Sequence, residues 1–307
     1  MRLCFLGTGG SWPTRTRNSI SIALTSGPTT LLLDCGEGTQ RQLLASPISP
    51  MKIKAVLVSH LHGDHILGLP GLVQTMSLND RKGVLQVFGP SGTVRSWQCA
   101  MNMCDFAPGF TIEVIEVGPG ASFKVGELTI DVASARHNIP SLAFKVSTGE
   151  RPGRFDRHKA MDLGIPEGPL WGELQKGKTV TFSKEGKVRS VGPDKVLGEK
   201  RPGVSIVYSG DTAPCQEIME LSRGAQVLIH ESTYGEELRE MADGYGHSTA
   251  RGAAEIARDA GVERLFLVHS SPRYSKDSGS EKLLEEAKAV FMNVSIPEDG
   301  EIIEINP

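Results

Sequence analysis

Three imidazoles and a carboxylate fall within six residues of this chain: His60, His62, Asp64 and His65, in the run SHLHGDH at 59–65. Imidazole nitrogen and carboxylate oxygen are the donors that suit zinc, at about 2.0–2.2 Å. The run follows KAVLVS, a β-rich apolar stretch, and precedes LGLPGLVQTM, whose apolar spacing is helical. A tight turn therefore presents all four side chains at one strand end, a context that His-rich linkers lack. One turn supplies too few donors for two metal sites, but other strand ends offer more. His137 closes LTIDVASARH, Asp211 follows SIVYS, and His269 closes RLFLVH. His247 opens a helix in GHST and Glu231 closes a strand; His230 reads as structural and His158 as solvated.

The elements that must position these residues alternate in type. Strands are expected at 2–7, 19–25, 30–34, 54–60, 84–88, 111–117, 127–133 and 141–147, then at 205–211, 225–231 and 264–270. Helical patterns lie at 37–45, just after Asp64, and at 214–222, 248–260 and 280–290. Buried strands that each deliver a polar tip build one functional edge.

The 307 residues carry a net charge of −3, so no global positive field advertises a polyanion partner. Charge is unevenly spread. Residues 148–203 hold 10 Gly and 5 Pro, with twelve Lys or Arg, from Arg151 to Arg201, against eight Asp or Glu. This basic insertion, +4 against −7 for everything else, divides the chain into a main domain, 1–147 and 204–307, and a flexible arm at 148–203. Within the arm Trp171 is expected to pin a small local core. Five scattered cysteines (Cys4, Cys35, Cys99, Cys104, Cys215) form no CxxC pair, which fits a reducing, cytoplasmic setting. The sequence shows neither a membrane span nor a signal peptide.

The turn His60-Leu61-His62-Gly63-Asp64-His65, with His137, Asp211 and His269 in that order, resembles the metallo-β-lactamase superfamily. The resemblance implies an α/β fold, the αβ/βα four-layer sandwich, with an inserted arm and two zinc ions per subunit at one edge; manganese or another divalent cation suits the same donors. By the family pattern one metal takes His60, His62 and His137, the other takes Asp64, His65 and His269, and Asp211 bridges them. Two such cations stabilise attacking and leaving oxygens and bring the pKa of water toward about 7, with Asp64 orienting the nucleophile or accepting its proton.

That fold alone does not give the substrate. Three further motifs do: PTRTRN at 13–18, HEST at 230–233 and GHST at 246–249 resemble motifs of the ribonuclease Z family, and the arm, with GIPEGPLWGELQKGKTV, is similar to that family's exosite. Arg15 stands where the family has Lys, and Ser232 replaces an Ala. The resemblance implies a homodimeric endoribonuclease that cuts precursor tRNA after the discriminator base, leaving a 3′-hydroxyl on the tRNA and a 5′-phosphate on the trailer. His247, oriented by Glu231, is then the proton donor to the departing 3′ oxygen. Arg15, Arg17, Asn18, Thr233 and Thr249 are the implied substrate contacts. The alternative is another dinuclear hydrolase of the same fold, a small phosphodiesterase or a thioester or lactone hydrolase, for which the arm and the PTRTRN loop have no use.

Overall fold

The computed structural model describes residues 1–103, 105–150, 152–184, 186–275 and 279–306; Cys104, Arg151 and Pro307, named above, lie outside them. The chain forms two compact units, residues 1–147 with 204–306, and residues 148–203.

In the larger unit β1 (Arg2–Gly7), β2 (Ser21–Ser26), β3 (Thr29–Leu33), α1 (Thr39–Ala45), β4 (Ile53–Leu57), α2 (Gly63–Ile66), α3 (Gly68–Leu78), β5 (Leu85–Gly89), α4 (Thr93–Met101) and β6 (Ile112–Glu116) come first. They are followed by β7 (Ser122–Val125), β8 (Leu128–Ala135) and β9 (Ser141–Thr148). The smaller unit then contributes α5 (Arg157–Asp162), α6 (Pro169–Gln175), β10 (Val180–Lys184) and β11 (Lys187–Val191). The chain ends with β12 (Ser205–Tyr208), α7 (Gln216–Ser222), β13 (Val227–Glu231), α8 (Arg239–Tyr245), α9 (Ala250–Ala260), β14 (Arg264–Val268), α10 (Gly279–Lys288), β15 (Val294–Ser295) and β16 (Ile302–Glu304).

The larger unit holds two seven-stranded sheets, ordered β16-β1-β2-β3-β4-β5-β6 and β15-β14-β13-β12-β9-β8-β7. Period-two alternation assigns each strand's faces. Ile206, Tyr208, Val227, Ile229, Phe266 and Val268 of the second sheet meet Leu3, Phe5, Ile22, Leu24, Leu31 and Leu33 of the first in one apolar core. Val207, Leu228, Leu265 and Leu267 point the other way, onto the alanine-rich face of α9. Cys4, Leu6, Ala23 and Val56 likewise pack on Leu43 of α1 and Leu69, Leu72, Val73 and Met76 of α3. Helices thus cover the outer face of each sheet, which is the four-layer sandwich of the metallo-β-lactamase fold.

β3 to β6 run parallel, as do β12 to β15. In open α/β sheets, the crevice outside the carboxyl ends of parallel strands is where ligands bind. Here those ends lead directly into Asp34, His60, Asp211 and His269, while Glu231 is the last residue of β13.

The smaller unit has its own core of Ala160, Ile165, Trp171, Leu174, Val180, Phe182 and Val196. Trp171 is buried there, its indole N–H donating to the Ile165 carbonyl at 3.2 Å. Composition suggested little regular structure in this stretch. Its elements are only five to seven residues long, too short for a helical or alternating pattern to register. Cys4, Cys35, Cys99 and Cys215 are free thiols, and no helix among the described residues is long and apolar enough to cross a membrane.

Candidate metal centre

The strand-end residues converge. His60 Nε2 lies 3.0 Å from His62 Nδ1, which is 3.3 Å from His137 Nε2. His65 Nε2 lies 3.2 Å from His269 Nε2, which is 3.2 Å from Asp64 Oδ2. Between these groups stands Asp211, whose Oδ2 is 3.4 Å from His65 and His269 and 3.6 Å from His60. His60, His62, His137 and Asp211 form one set that could hold a metal ion, and Asp64, His65 and His269 another.

Hydrogen bonds on the far side of each ring fix what faces inward. The Gly246 carbonyl, 2.8 Å from His137 Nδ1, and the Asp34 carboxylate, 2.7 Å from His65 Nδ1, can only accept. Ser59 Oγ gives its proton to Asp34 and so accepts from His60 Nδ1 at 3.0 Å. Thr233 Oγ1 gives its proton to Glu231 and so accepts from His269 Nδ1 at 2.9 Å. Four rings therefore carry their proton on Nδ1, and four Nε2 lone pairs point inward at close range. Lone pairs held this way have no protein donor to meet, and a cation satisfies them. Asp211 Oδ1, buried and without a hydrogen-bond partner, completes the donor set. The residues present fit divalent metal.

Electrostatics agrees. Burial first, then the neighbouring imidazoles, holds His60 well below its ordinary pKa and lowers His62 as well. Burial also lowers His137. Burial opposes charge on Asp211, yet His269, His65 and His60 keep its pKa well below the usual carboxylate range. His65 is driven the other way: against burial, Asp211 and Asp34 raise it well above the imidazole range. That is the centre's demand for positive charge, which a metal meets without a proton.

Beside the centre a second arrangement is built. Glu231 Oε1 accepts from His247 Nδ1 at 2.6 Å and from the Thr212 N–H at 3.0 Å. Its Oε2 accepts from the N–H and hydroxyl of Thr233 at 3.0 and 2.7 Å. Burial disfavours a charged His247, but Glu231 outweighs it and lifts the imidazole to about 9. Glu231 thus favours the protonated form of His247, whose Nδ1 lies 3.9 Å from Asp211.

The backbone is bent to this purpose. Ser11, Asp34 and His269 adopt left-handed φ of 66°, 57° and 58°, a conformation that costs non-glycine residues of order 1 kcal/mol or more and clusters at functional sites. Ser11 N–H donates to Asp64 Oδ2 at 2.6 Å. Gly10 has to be glycine, because a Cβ there would stand 2.6 Å from the His269 ring.

The other residues singled out in the sequence are placed as follows. Arg17 is turned inward, its guanidinium donating to Thr8 and to the Pro297 carbonyl, so it braces the loop. The Asn18 side chain donates to the Glu37 carbonyl at 2.8 Å. Thr233 is engaged within the site, and Thr249 caps α9 while donating to Glu236 at 2.9 Å. Arg15 faces solvent, lining with Arg41 and Asn18 a cavity of about 490 Å³.

Sequence reasoning missed Asp34, the anchor of His65, Ser59 and Tyr208. Its signal was available, since TLLLD ends in a polar residue as the ligand-bearing strands do. It also missed Asp299, which ties down Thr8 and Asn18 through hydrogen bonds of 2.6 to 3.0 Å. With Asp299 standing 291 positions after Thr8, no local pattern announces that contact.

Comparison with known proteins adds the following. A model of the beta-lactamase superfamily domain matches residues 196–270, and one described as anti-Pycsar protein Apyc1 matches residues 1–148. The ribonuclease Z of Methanosarcina acetivorans is 42% identical over 99% of this chain and 98% of its own length. That of Haloferax volcanii is 40% identical over 99% and 95%. Among solved structures, the short form of human tRNase Z superposes with a TM-score of 0.69 at 25% identity over the whole of both chains. YhfI of Bacillus subtilis, a metallo-β-lactamase fold protein, gives 0.70 at 20% identity over 98% of each chain.

Asp34→Asn removes the charge that anchors His65 Nδ1 and is expected to weaken zinc binding about 10- to 100-fold. Competition against a chromophoric chelator measures it, and unchanged affinity would contradict the positioning role.

Proposed function

The chain belongs to the ribonuclease Z family, and on that premise we propose how its residues carry out the endonucleolytic processing of tRNA 3′ ends with two zinc ions. Its substrate is precursor tRNA, cut after the discriminator base to leave a 3′-hydroxyl on the tRNA and a 5′-phosphate on the trailer. His60, His62 and His137 would hold one ion, Asp64, His65 and His269 the other, and Asp211 would be shared. Bound there, two divalent cations supply Lewis acidity for the scissile phosphate and make water a nucleophile near neutral pH.

The residues do the rest. Asp64, fixed by the Ser11 N–H at 2.6 Å, orients the attacking water and takes up its proton. The bond that breaks is that between phosphorus and the discriminator's 3′ oxygen, an alkoxide that needs a proton as it departs. The observation that carries the proposal is the donor already in place: His247, held at 2.6 Å by a buried carboxylate that favours its protonated form. Glu231 has all four of its hydrogen bonds made by neighbours, so it orients His247 without competing for the substrate. Arg15, exposed beside Arg41, grips substrate phosphate through the bidentate contacts a guanidinium makes; Arg17, Thr233 and Thr249 keep the surrounding loops in shape.

The arm, residues 148–203, serves as an exosite. Six of its basic residues, Arg157, Lys159, Lys176, Lys178, Lys195 and Lys200, pair with acids of the same unit. On the β10–β11 hairpin Lys187 and Arg189 are exposed and have no ion-pair partner among the described residues. Such residues contribute affinity for tRNA phosphates through counterion release, which lets a chain of net charge −3 bind a polyanion. The assembly implied by the family is a homodimer in which one subunit's arm holds a tRNA whose end enters the partner's site.

His247→Ala should slow precursor-tRNA cleavage by about 100-fold or more while affecting bis(p-nitrophenyl) phosphate, whose leaving group needs little protonation, far less. Equal losses would reject the general-acid role. Deleting residues 150–200 should weaken precursor-tRNA binding, read by filter retention at two salt concentrations, much more than it slows the small diester. Equal effects would make the arm merely structural.

A further inference from the structure

A cavity of about 320 Å³ opens beside the centre, and its lining combines His62 and Asp64 with two exposed apolar side chains, Trp12 and Leu67. Each of these is 61% exposed. Of the three tryptophans, Trp171 is buried, Trp97 is half-buried against the helix-covered core, and Trp12 is exposed. An exposed indole leaves a large apolar surface in water, and this one stands on a loop tied to the metal centre by hydrogen bonds. Trp12 N–H donates to the Gly10 carbonyl at 2.8 Å, the adjacent Ser11 N–H holds Asp64, and Gly10 abuts the His269 ring. Every nucleobase has a π-face, and aromatic platforms bind unpaired bases by stacking.

The geometry points to Trp12, backed by Leu67, as a stacking platform for the first unpaired base of the 3′ trailer. The inference rests on the reading of the chain as an endonuclease of precursor tRNA. The side of the cut follows from the proton donor. The departing 3′ oxygen belongs to the discriminator and goes to His247, whereas the cavity is lined by Asp64 and His62 and not by His247 or Glu231. The nucleotide that keeps the phosphate is the trailer's first, and it lies on the Asp64 side.

The experiment is a double comparison of kcat/KM, with zinc-loaded wild type and Trp12→Ala, on precursor tRNA that is either intact or abasic at the first trailer position. Removing the base should cost the wild type about tenfold, equivalent to about 1.4 kcal/mol. Trp12→Ala should lose about as much on intact RNA and little more on the abasic one, and Trp12→Phe should regain most of the loss. A Trp12→Ala enzyme that equals wild type on intact RNA, or still discriminates the abasic substrate tenfold, overturns the inference. Loss of coupling at an abasic discriminator instead also overturns it, by putting Trp12 on the tRNA side. Failure of the wild type to cut intact precursor tRNA is a separate result, and it removes the underlying reading instead.

Discussion

Four imidazole lone pairs are forced toward one another at the edge between two sheets, and the surrounding structure is arranged to keep them there. Left alone, such a cluster would rotate its rings or trade protons. It cannot, because each Nδ1–H is committed outward, to Asp34, Ser59, Thr233 or the Gly246 carbonyl. These partners lie on different segments, near the ends of β3, β4 and β13 and just after α8, so the whole sandwich must form before the donors line up. The cost of assembling buried polar groups without a counter-charge is the affinity that a divalent cation recovers.

Asp34 carries an unusual share of that order. It receives His65, the Tyr208 hydroxyl and both the backbone and side chain of Ser59, and so joins the two sheets at the point where the metal donors emerge. Glu231 does the same for His247. Both are buried carboxylates with their oxygens satisfied, the condition under which a buried charge rigidifies instead of destabilising. In the proposed reaction an oriented His247 is what suits this centre to an alkoxide leaving group.

Much of this was legible in the sequence. The seven candidate ligands were found from residue type and strand-end position, because buried parallel strands read as apolar runs and a polar residue closing each run stands out. The expected elements lie within a few residues of those observed for the same reason, whereas α4 and α8 were not anticipated. The strand expected at 205–211 stops at Tyr208 because Gly210, with φ of 59°, turns the chain to deliver Asp211. Residues 122–125, 294–295 and 302–304 form strands too short to show alternation; the first is one arm of a hairpin with β8, and the other two pair with strands distant in sequence. Asp299 and the inward turn of Arg17 were illegible because they depend on contacts across nearly the full chain. Trp12 looked unremarkable until its neighbours were known.

The most direct test is cleavage of end-labelled precursor tRNA by the zinc-loaded protein, run beside Asp64→Ala. The account predicts one metal-dependent cut at the base of the acceptor stem, leaving a 3′-hydroxyl on the tRNA, and a loss of more than about a thousandfold in the variant. A variant as active as wild type would contradict the two-metal assignment. An inert RNA, with a lactone, thioester or simple diester turned over instead, would keep the metal centre and refute its substrate.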